Sequence, residues 1–593
     1  MKTDSNSDFQ GNEDRGFTRR GFLAGTAAAG LIATVGLATG CSPETPPAAS
    51  TPNTSGSSVA DASIWDKKWS FEIPPDPIDD AQITDTIETE VLVIGAGPSG
   101  FATALSAAEA GGKVVLVAKS STWNALGGSM HAYNTKTLKA MGYEKTPDEI
   151  SHELRREWLN QANRSDHNKW AKAAFASEKA LNWLIDYVEA EGYTTSLEIG
   201  PQDADGVHGS GPGSHSFMGG DQMISGGGIQ IALGIMEQKF LEFGGQVFYD
   251  TTVEQLIRDN NNTGRVSGAI AKDPSGNYIK YVTSKAVVLA TGCITMNDDM
   301  LARFAPETFN AVKAGAVRLA QNTGDGLQMA LWVGAAPQRN WPWACEYNTP
   351  LLYFRGETGA MFMGARPYMA FPSMAVNQLG KRYMNEDCSM SLAIPPQIRQ
   401  PEMLSYSIWT ANLADALAPF EMFGRWYGEC PYGLLDAETV KANWEAGLGE
   451  GGGMTPIENA KFDTLDELAS HFSIPVDTLK DTIDNYNSYC AQGFDPEFAK
   501  RSKMLVPIDL KGPFYASKSL PTVFCVYGGP RCDIDAHVLD YDDKPIEGLY
   551  EVGIMMGDLY QPVYTYLFPG ANMGFWNITY GYLTGKGIVE GTI

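Results

Sequence analysis

Residues 87–119 constrain this chain more than any other stretch. Ile87 to Ile94 is apolar enough for a buried strand and runs directly into Gly95-Ala96-Gly97-Pro98-Ser99-Gly100. An alanine-rich stretch up to Gly111-Gly112 predicts a helix, and Lys113 to Val117 predicts a second strand. Strand, glycine turn, helix and strand in that order form the β-α-β unit of a dinucleotide site. Gly95 permits the turn, Gly97 lets a pyrophosphate approach the backbone, and Gly100 lets helix and strand pack closely. Pro98 and Ser99 open the helix, whose free N–H groups and dipole favour phosphate. The alternative, an incidental glycine turn, does not account for the complete unit. One element departs from the pattern. Where a carboxylate usually holds the ribose, this chain has Ala118-Lys119. Ala118 accepts no hydrogen bond, so the contact is expected from backbone, water or a neighbour such as Ser120, with weaker binding as the result.

A chain of 593 residues exceeds one ordinary domain, at a prior of about 150 residues each. Its formal net charge of −26 argues against nucleic acid and against a charged grip on anionic lipid. Thr18-Arg19-Arg20-Gly21-Phe22-Leu23, followed by a weakly apolar run from Ala24 to Ala38, reads as a twin-arginine export signal. That run is too short for a membrane span. Residues 1–41 are therefore set apart from the fold, and the twin-arginine translocase is an expected partner. Ala38-Thr39-Gly40-Cys41 resembles a lipobox, although Leu37 sits one position too early for that motif. A lipoprotein on the outer face of the cytoplasmic membrane and a soluble extracytoplasmic protein both remain open. Residues 42–84 read as a flexible linker.

The eight cysteines show no C-x-x-C or C-x-x-C-H spacing, so neither a metal site nor c-type haem is expected. Cys525 and Cys532 are candidates for a pair that spacing alone does not decide. Along the chain, Leu126-Gly127-Gly128-Ser129 is a glycine turn able to pass beneath a flat ring. Helices are expected over Asn168–Gly192 and Ile229–Phe243, and a hairpin over Val266–Ile270 and Ile279–Val282. A strand from Ala286 ends in Ala290-Thr291-Gly292, and Asn322-Thr323-Gly324-Asp325-Gly326 opens another helix. His208 and His215 fall in a Gly/Ser-rich stretch read as a flexible loop. From about 346 to 505 Met, Trp, Phe and Pro become dense, and helices at Leu465–His471 and Val476–Cys490 suggest a separate domain.

These landmarks resemble the FAD-dependent oxidoreductase 2 family, which contains fumarate reductases, 3-ketosteroid dehydrogenases and urocanate reductase. The matching stretches include Val91–Gly100, Gly127-Gly128-Ser129, Ala290-Thr291-Gly292, Thr323-Gly324-Asp325-Gly326, Gly380–Glu386, Tyr486-Asn487-Ser488-Tyr489 and Pro545–Tyr550. They fall in family order across nearly all of residues 87–586. The resemblance implies an α/β fold in which a Rossmann-like FAD-binding domain (85–345 and 506–593) is interrupted by an α+β substrate cap (346–505). It also assigns Gly553 and Asn572 to the flavin site.

The departures narrow the chemistry. By resemblance, the arginine that donates a proton in fumarate reductases falls at or near Met390. The arginine after Gly570-Ala571-Asn572 is replaced by Met573, and a family histidine falls near Tyr527. A dicarboxylate in a dry site would lose its forked donors, at a cost of several kcal/mol. Gly528-Gly529-Pro530-Arg531-Cys532-Asp533 and Phe568-Pro569-Gly570-Ala571-Asn572 echo the steroid branch better, with Phe568 standing for its tyrosine. Ile554 replaces the polar residue usual after the late Val-Gly. Ser129 stands where a covalent-flavin histidine would be and His131 is offset, so FAD is expected to bind non-covalently.

The polar candidates for catalysis are Arg366, Tyr527, Tyr564 and Tyr566, with ordinary core packing the alternative for each tyrosine. Arg531 is expected to close a turn with Asp533 or Asp535, and Arg382 and Glu386 to be structural ion partners. The expected activity is reduction of the activated C=C bond of an apolar or aromatic unsaturated carbonyl compound, not fumarate. An external donor, a membrane cytochrome or a quinone-linked protein, would supply the electrons. Two alternatives stay open: a 3-ketosteroid dehydrogenase-type desaturase, and a flavin-binding protein that has lost catalysis.

Overall fold

The computed structural model describes residues 68–593 apart from 126, 199–212, 220–226, 343–344, 347–353, 356–360, 363–372, 389–390, 418–436, 451–457 and 566. Its organising element is an eight-stranded sheet. Strand Ile83–Ile94 lies between Tyr278–Leu289 and Val114–Val117, parallel to both. Gln246–Phe248 extends one side and Pro545–Glu551 the other, again in parallel. Parallel strands need covered faces, and these read as continuous apolar runs for that reason: Val91 to Leu92, Val115 to Val117 and Val287 to Leu289 are fully buried. Helix Pro98–Glu109 makes the crossover and packs against the last helix, Tyr580–Glu590. The expected hairpin forms, as Thr252–Arg258, Val266–Lys272 and Tyr278–Leu289 make an antiparallel meander.

A second sheet is wholly antiparallel, in the order Met374–Val376, Ser405–Thr410, Phe514–Ser519, Glu458–Phe462 and Gly449–Glu450. Helices Leu465–His471 and Val476–Gln492 cover it around Leu468, Leu479, Ile483 and Tyr486. Phe514–Ser519 lies beyond the expected boundary at 505, yet it is this sheet's middle strand. Arg382 is buried against Glu386 at 2.8 Å and Asp495 at 2.9 Å, the structural ion cluster expected of the first two.

Two local expectations need correction. His215 sits in the strand Ser214–Met218, not in a loop, because that segment pairs with Met130–His131 on one side and Thr194–Glu198 on the other. Arg531 reaches Asp543 at 3.1 Å, since Asp533 is engaged by His537 and Asp535 by Lys172. Cys525 and Cys532, the pairing the sequence left open, are both buried and are not joined in a disulfide. Among the described residues no helix is long and apolar enough to cross a membrane, and no cluster of metal-ligating side chains occurs.

Candidate functional site

Strands Ile83–Ile94, Val114–Val117, Gln246–Phe248 and Tyr278–Leu289 all end at one edge of the sheet, and the residues that follow each line a single cleft. Gly95, Gly97, Pro98 and Ser99 come from the first, Ala118, Lys119 and Ser120 from the second, Thr251 and Thr252 from the third, and Ala290, Thr291 and Gly292 from the fourth. Ligands sit beyond the carboxyl ends of parallel strands for this reason. Asn322 and Asp325 close one wall, and Asn572, Met573 and Asn577 another. The last three lie on a π-helical turn, Asn572–Thr579, whose wider winding brings them to one wall.

Three features fit a flavin dinucleotide. A Cβ on Gly97 would meet only the Asn124 carbonyl, at 3.9 Å, so the backbone there faces open space. The first turn of Pro98–Glu109 has no side-chain cap, leaving its N–H groups for an anion. The Asn572 Oδ1 atom is buried without a hydrogen-bond partner. Gly100 does different work: a Cβ on it would lie 1.9 Å from the Gly95 carbonyl oxygen.

Other expected residues support the cleft from behind. Gly324 caps helix Asp325–Trp332 at φ 80°. Gly553, at φ +84°, packs on Ser99, where a Cβ would stand 2.5 Å from the hydroxyl. Thr323 donates to Asp325 at 2.7 Å, and Lys119 reaches the same carboxylate at 2.7 Å. Gly127 has nothing within 4 Å of a built Cβ, and Ser129 backs onto Gly570; neither they nor Gly128 line the cleft. His131 is buried edge-on to Tyr133, Phe568 and Phe575 at 5.1–5.4 Å. It lies close to the Pro569 backbone but forms no good hydrogen bond there, and burial holds its pKa well below the usual histidine value.

Arg366 and Tyr566 lie outside the described residues, as does Met390. Tyr527 and Tyr564 come together at 5.2 Å between ring centroids, although neither lines the cleft. Tyr560, which no sequence signal singled out, completes the triangle at 5.0 and 4.9 Å and accepts a 2.6 Å hydrogen bond from Trp576. Also missed were Asn124, Thr251, Thr252, Gln321 and Asn577. The ends of the parallel strands were the signal for Thr251 and Thr252.

Such a cleft at the head of a Rossmann-like sheet defines a dinucleotide-binding protein. The FAD binding domain family model matches residues 90–566, and the chain belongs to that family. It is an FAD-dependent oxidoreductase of the class that works on CH–CH groups. It is 25% identical to the vinyl phenol reductase of Lactiplantibacillus plantarum over 82% of this chain and 93% of that protein. It is 26% identical to the urocanate reductase of Eggerthella lenta, over 80% of this chain and 70% of the other. In fold it resembles the 3-ketosteroid-Δ4-(5α)-dehydrogenase of Rhodococcus jostii with a TM-score of 0.61, at 22% identity, covering 86% of this chain and 99% of that one.

The missing ribose carboxylate yields a prediction. Ala118 is buried in the cleft wall, so Ala118→Glu places an acceptor where dinucleotide folds usually hold one. One charge-assisted hydrogen bond contributes about 1.5–3 kcal/mol, and FAD affinity is expected to rise about tenfold. Titrating apoprotein by flavin fluorescence measures this, and an unchanged Kd would mean that the ribose is held elsewhere.

Proposed function

We propose that the chain reduces the activated C=C bond of an apolar or aromatic unsaturated compound, a ring enone or a vinyl phenol, and not fumarate. One observation carries this reading. Met573 lines the described cleft where the resemblance places an arginine of fumarate reductases. Ile554, Phe524, Cys525 and Leu319 line the same cleft, with no arginine in its described lining to fork a carboxylate. FAD, when bound, supplies the two-electron chemistry. The chain's own part is to hold it by Gly95, Gly97 and the helix N-terminus, without a covalent bond, and to exclude water with the apolar wall. A phenol O–H, from Tyr527 or Tyr564, is the proposed donor where negative charge grows on the substrate, a role that contributes roughly 10²–10⁴-fold. The similarity to vinyl phenol reductase supports the aromatic substrate class. The reading includes twin-arginine export and an external electron donor on the outer side of the membrane.

The test is anaerobic reoxidation of dye-reduced holoprotein by 4-vinylphenol, cinnamate, cyclohexenone, urocanate and fumarate. At least one neutral or singly charged aromatic or ring compound is expected to react tenfold or more faster than fumarate. Fumarate as the fastest oxidant would sink the proposal. Dye reduction by a 3-ketosteroid, with no reoxidation by any alkene, would instead favour the desaturase.

A further inference from the structure

The segment 557–565, which carries Tyr560 and Tyr564, takes part of its support from buried side chains on two helices and from Gln161, the residue that follows one of them. Lys169 donates to the Gly557 carbonyl at 2.9 Å and Trp170 to the Leu559 carbonyl at 2.7 Å, both from helix His167–Ala190. Gln161 accepts from the Gln561 N–H at 2.8 Å, and Glu157, on helix Pro147–Asn160, accepts from the Thr565 hydroxyl at 2.6 Å. Gln161 also donates to the other Glu157 oxygen. The polarity of this chain follows from its end. Because the Gln561 N–H can only donate, Gln161 must present its oxygen there and its NH₂ to Glu157. Glu157 then accepts at both oxygens, as an ionised carboxylate does. A proton on it would place a donor against a donor or force Thr565 to reverse.

We propose that Glu157 is a positioning residue: through Thr565 and Gln161 its carboxylate fixes where the Tyr564 hydroxyl stands relative to a substrate. The proposal rests on the tyrosine reading given above. Glu157 is 1% exposed, and burial above all pushes its carboxyl up to about 7, against the hydrogen bonds from Thr565 and Gln161 and the charge of Arg156. The other titratable groups that feel it are Tyr133 and Tyr560, whose own pKa values burial raises well above 10. The clamp is therefore set above neutrality and loosens below it. A displacement of about 1 Å at a reacting group costs up to ~10²-fold.

The experiment compares Glu157→Gln, Thr565→Val, their double variant, Thr565→Ser and Tyr564→Phe as holoproteins, with 4-vinylphenol and cyclohexenone as oxidants. The first two are expected to lower kcat about tenfold at unchanged KM and flavin content. The double variant should lose no more than either alone, because one bond is removed twice, and Thr565→Ser should restore the parent rate. Independently of turnover, the near-ultraviolet circular dichroism of the apoprotein should titrate near pH 7 in the parent and be flat in Glu157→Gln. Unchanged kcat, additive losses, or the same titration in Glu157→Gln would overturn the proposal while leaving the tyrosine reading intact if Tyr564→Phe is impaired. A Tyr564→Phe variant with full activity leaves Tyr527 as the donor and overturns the proposal.

Discussion

Gly97→Ala should yield a folded, colourless protein, and Gly100→Ala, the same single methyl three residues on, should melt well below the parent. At Gly97 the backbone is extended, at φ −85° and ψ −179°, which any residue adopts. The added Cβ meets only the Asn124 oxygen at 3.9 Å, so the apoprotein should melt as the parent apoprotein does. The methyl then occupies the space into which a pyrophosphate must come. Losing one or two backbone hydrogen bonds to that anion, at about 1.5–3 kcal/mol each, lowers FAD affinity by roughly 10²-fold. At Gly100 the Cβ would stand 1.9 Å from the Gly95 carbonyl and 3.4 Å from the Ala290 Cβ. A carbonyl in a tight turn has no rotamer to escape into, and overpacking of this kind costs at least ~1–3 kcal/mol. Apoproteins must be compared, because bound FAD stabilises the parent by mass action. Circular dichroism melts and flavin titrations separate the two outcomes. A Gly97→Ala protein that stays yellow at parent affinity would place the pyrophosphate elsewhere.

The contrast also shows what the sequence can convey. Gly95, Gly97 and Gly100 were legible because a turn, a close approach and a helix–strand contact each require glycine locally. The cleft beyond them was legible where parallel strands end in small residues, as at Ala290-Thr291-Gly292. His215 was misread because the Gly/Ser-rich segment before it looks like a loop, whereas two-sided pairing with distant strands makes it sheet. Phe514–Ser519 went unseen for a similar reason: six residues of mixed polarity become a central strand only when Ser405–Thr410 and Glu458–Phe462 arrive on either side. The π-helical turn that carries Asn572, Met573 and Asn577 has no period a sequence displays. Tyr560 was invisible because its role depends on Tyr527, Tyr564 and Trp576 meeting across the fold.

Glu551 supplies the other large effect, on stability rather than on flavin. It ends the strand Pro545–Glu551 and is fully buried. One carboxyl oxygen accepts from the Gly557 N–H at 3.2 Å; the other is buried beside the Cys532 thiol without a well-formed hydrogen bond. Burial pushes this carboxyl up to about 8, against smaller opposing contributions from Cys532, the Lys169 ammonium and Gly557. Lys169 itself stays charged, its pKa raised despite burial by Cys532 and by Asp166, whose carboxylate is 3.5 Å away. Between the ordinary carboxylate range and about pH 8, the unfolded chain has released the Glu551 proton and the folded protein has not. The folded state binds more protons there, so stability falls as pH rises through this window and levels off above it. At about 1.4 kcal/mol per pH unit, the loss is on the order of 3–5 kcal/mol. Glu157, pushed up to about 7, adds to the slope in the lower part of the same window. Glu551→Gln keeps the shape and the acceptor for Gly557 but has no proton to lose. Urea melts of the apoproteins from pH 5 to 9 should therefore show the variant overtaking the parent as pH rises, with most of the slope gone. A variant that tracks the parent's pH dependence would mean that Glu551 ionises in the folded protein as freely as in the unfolded chain.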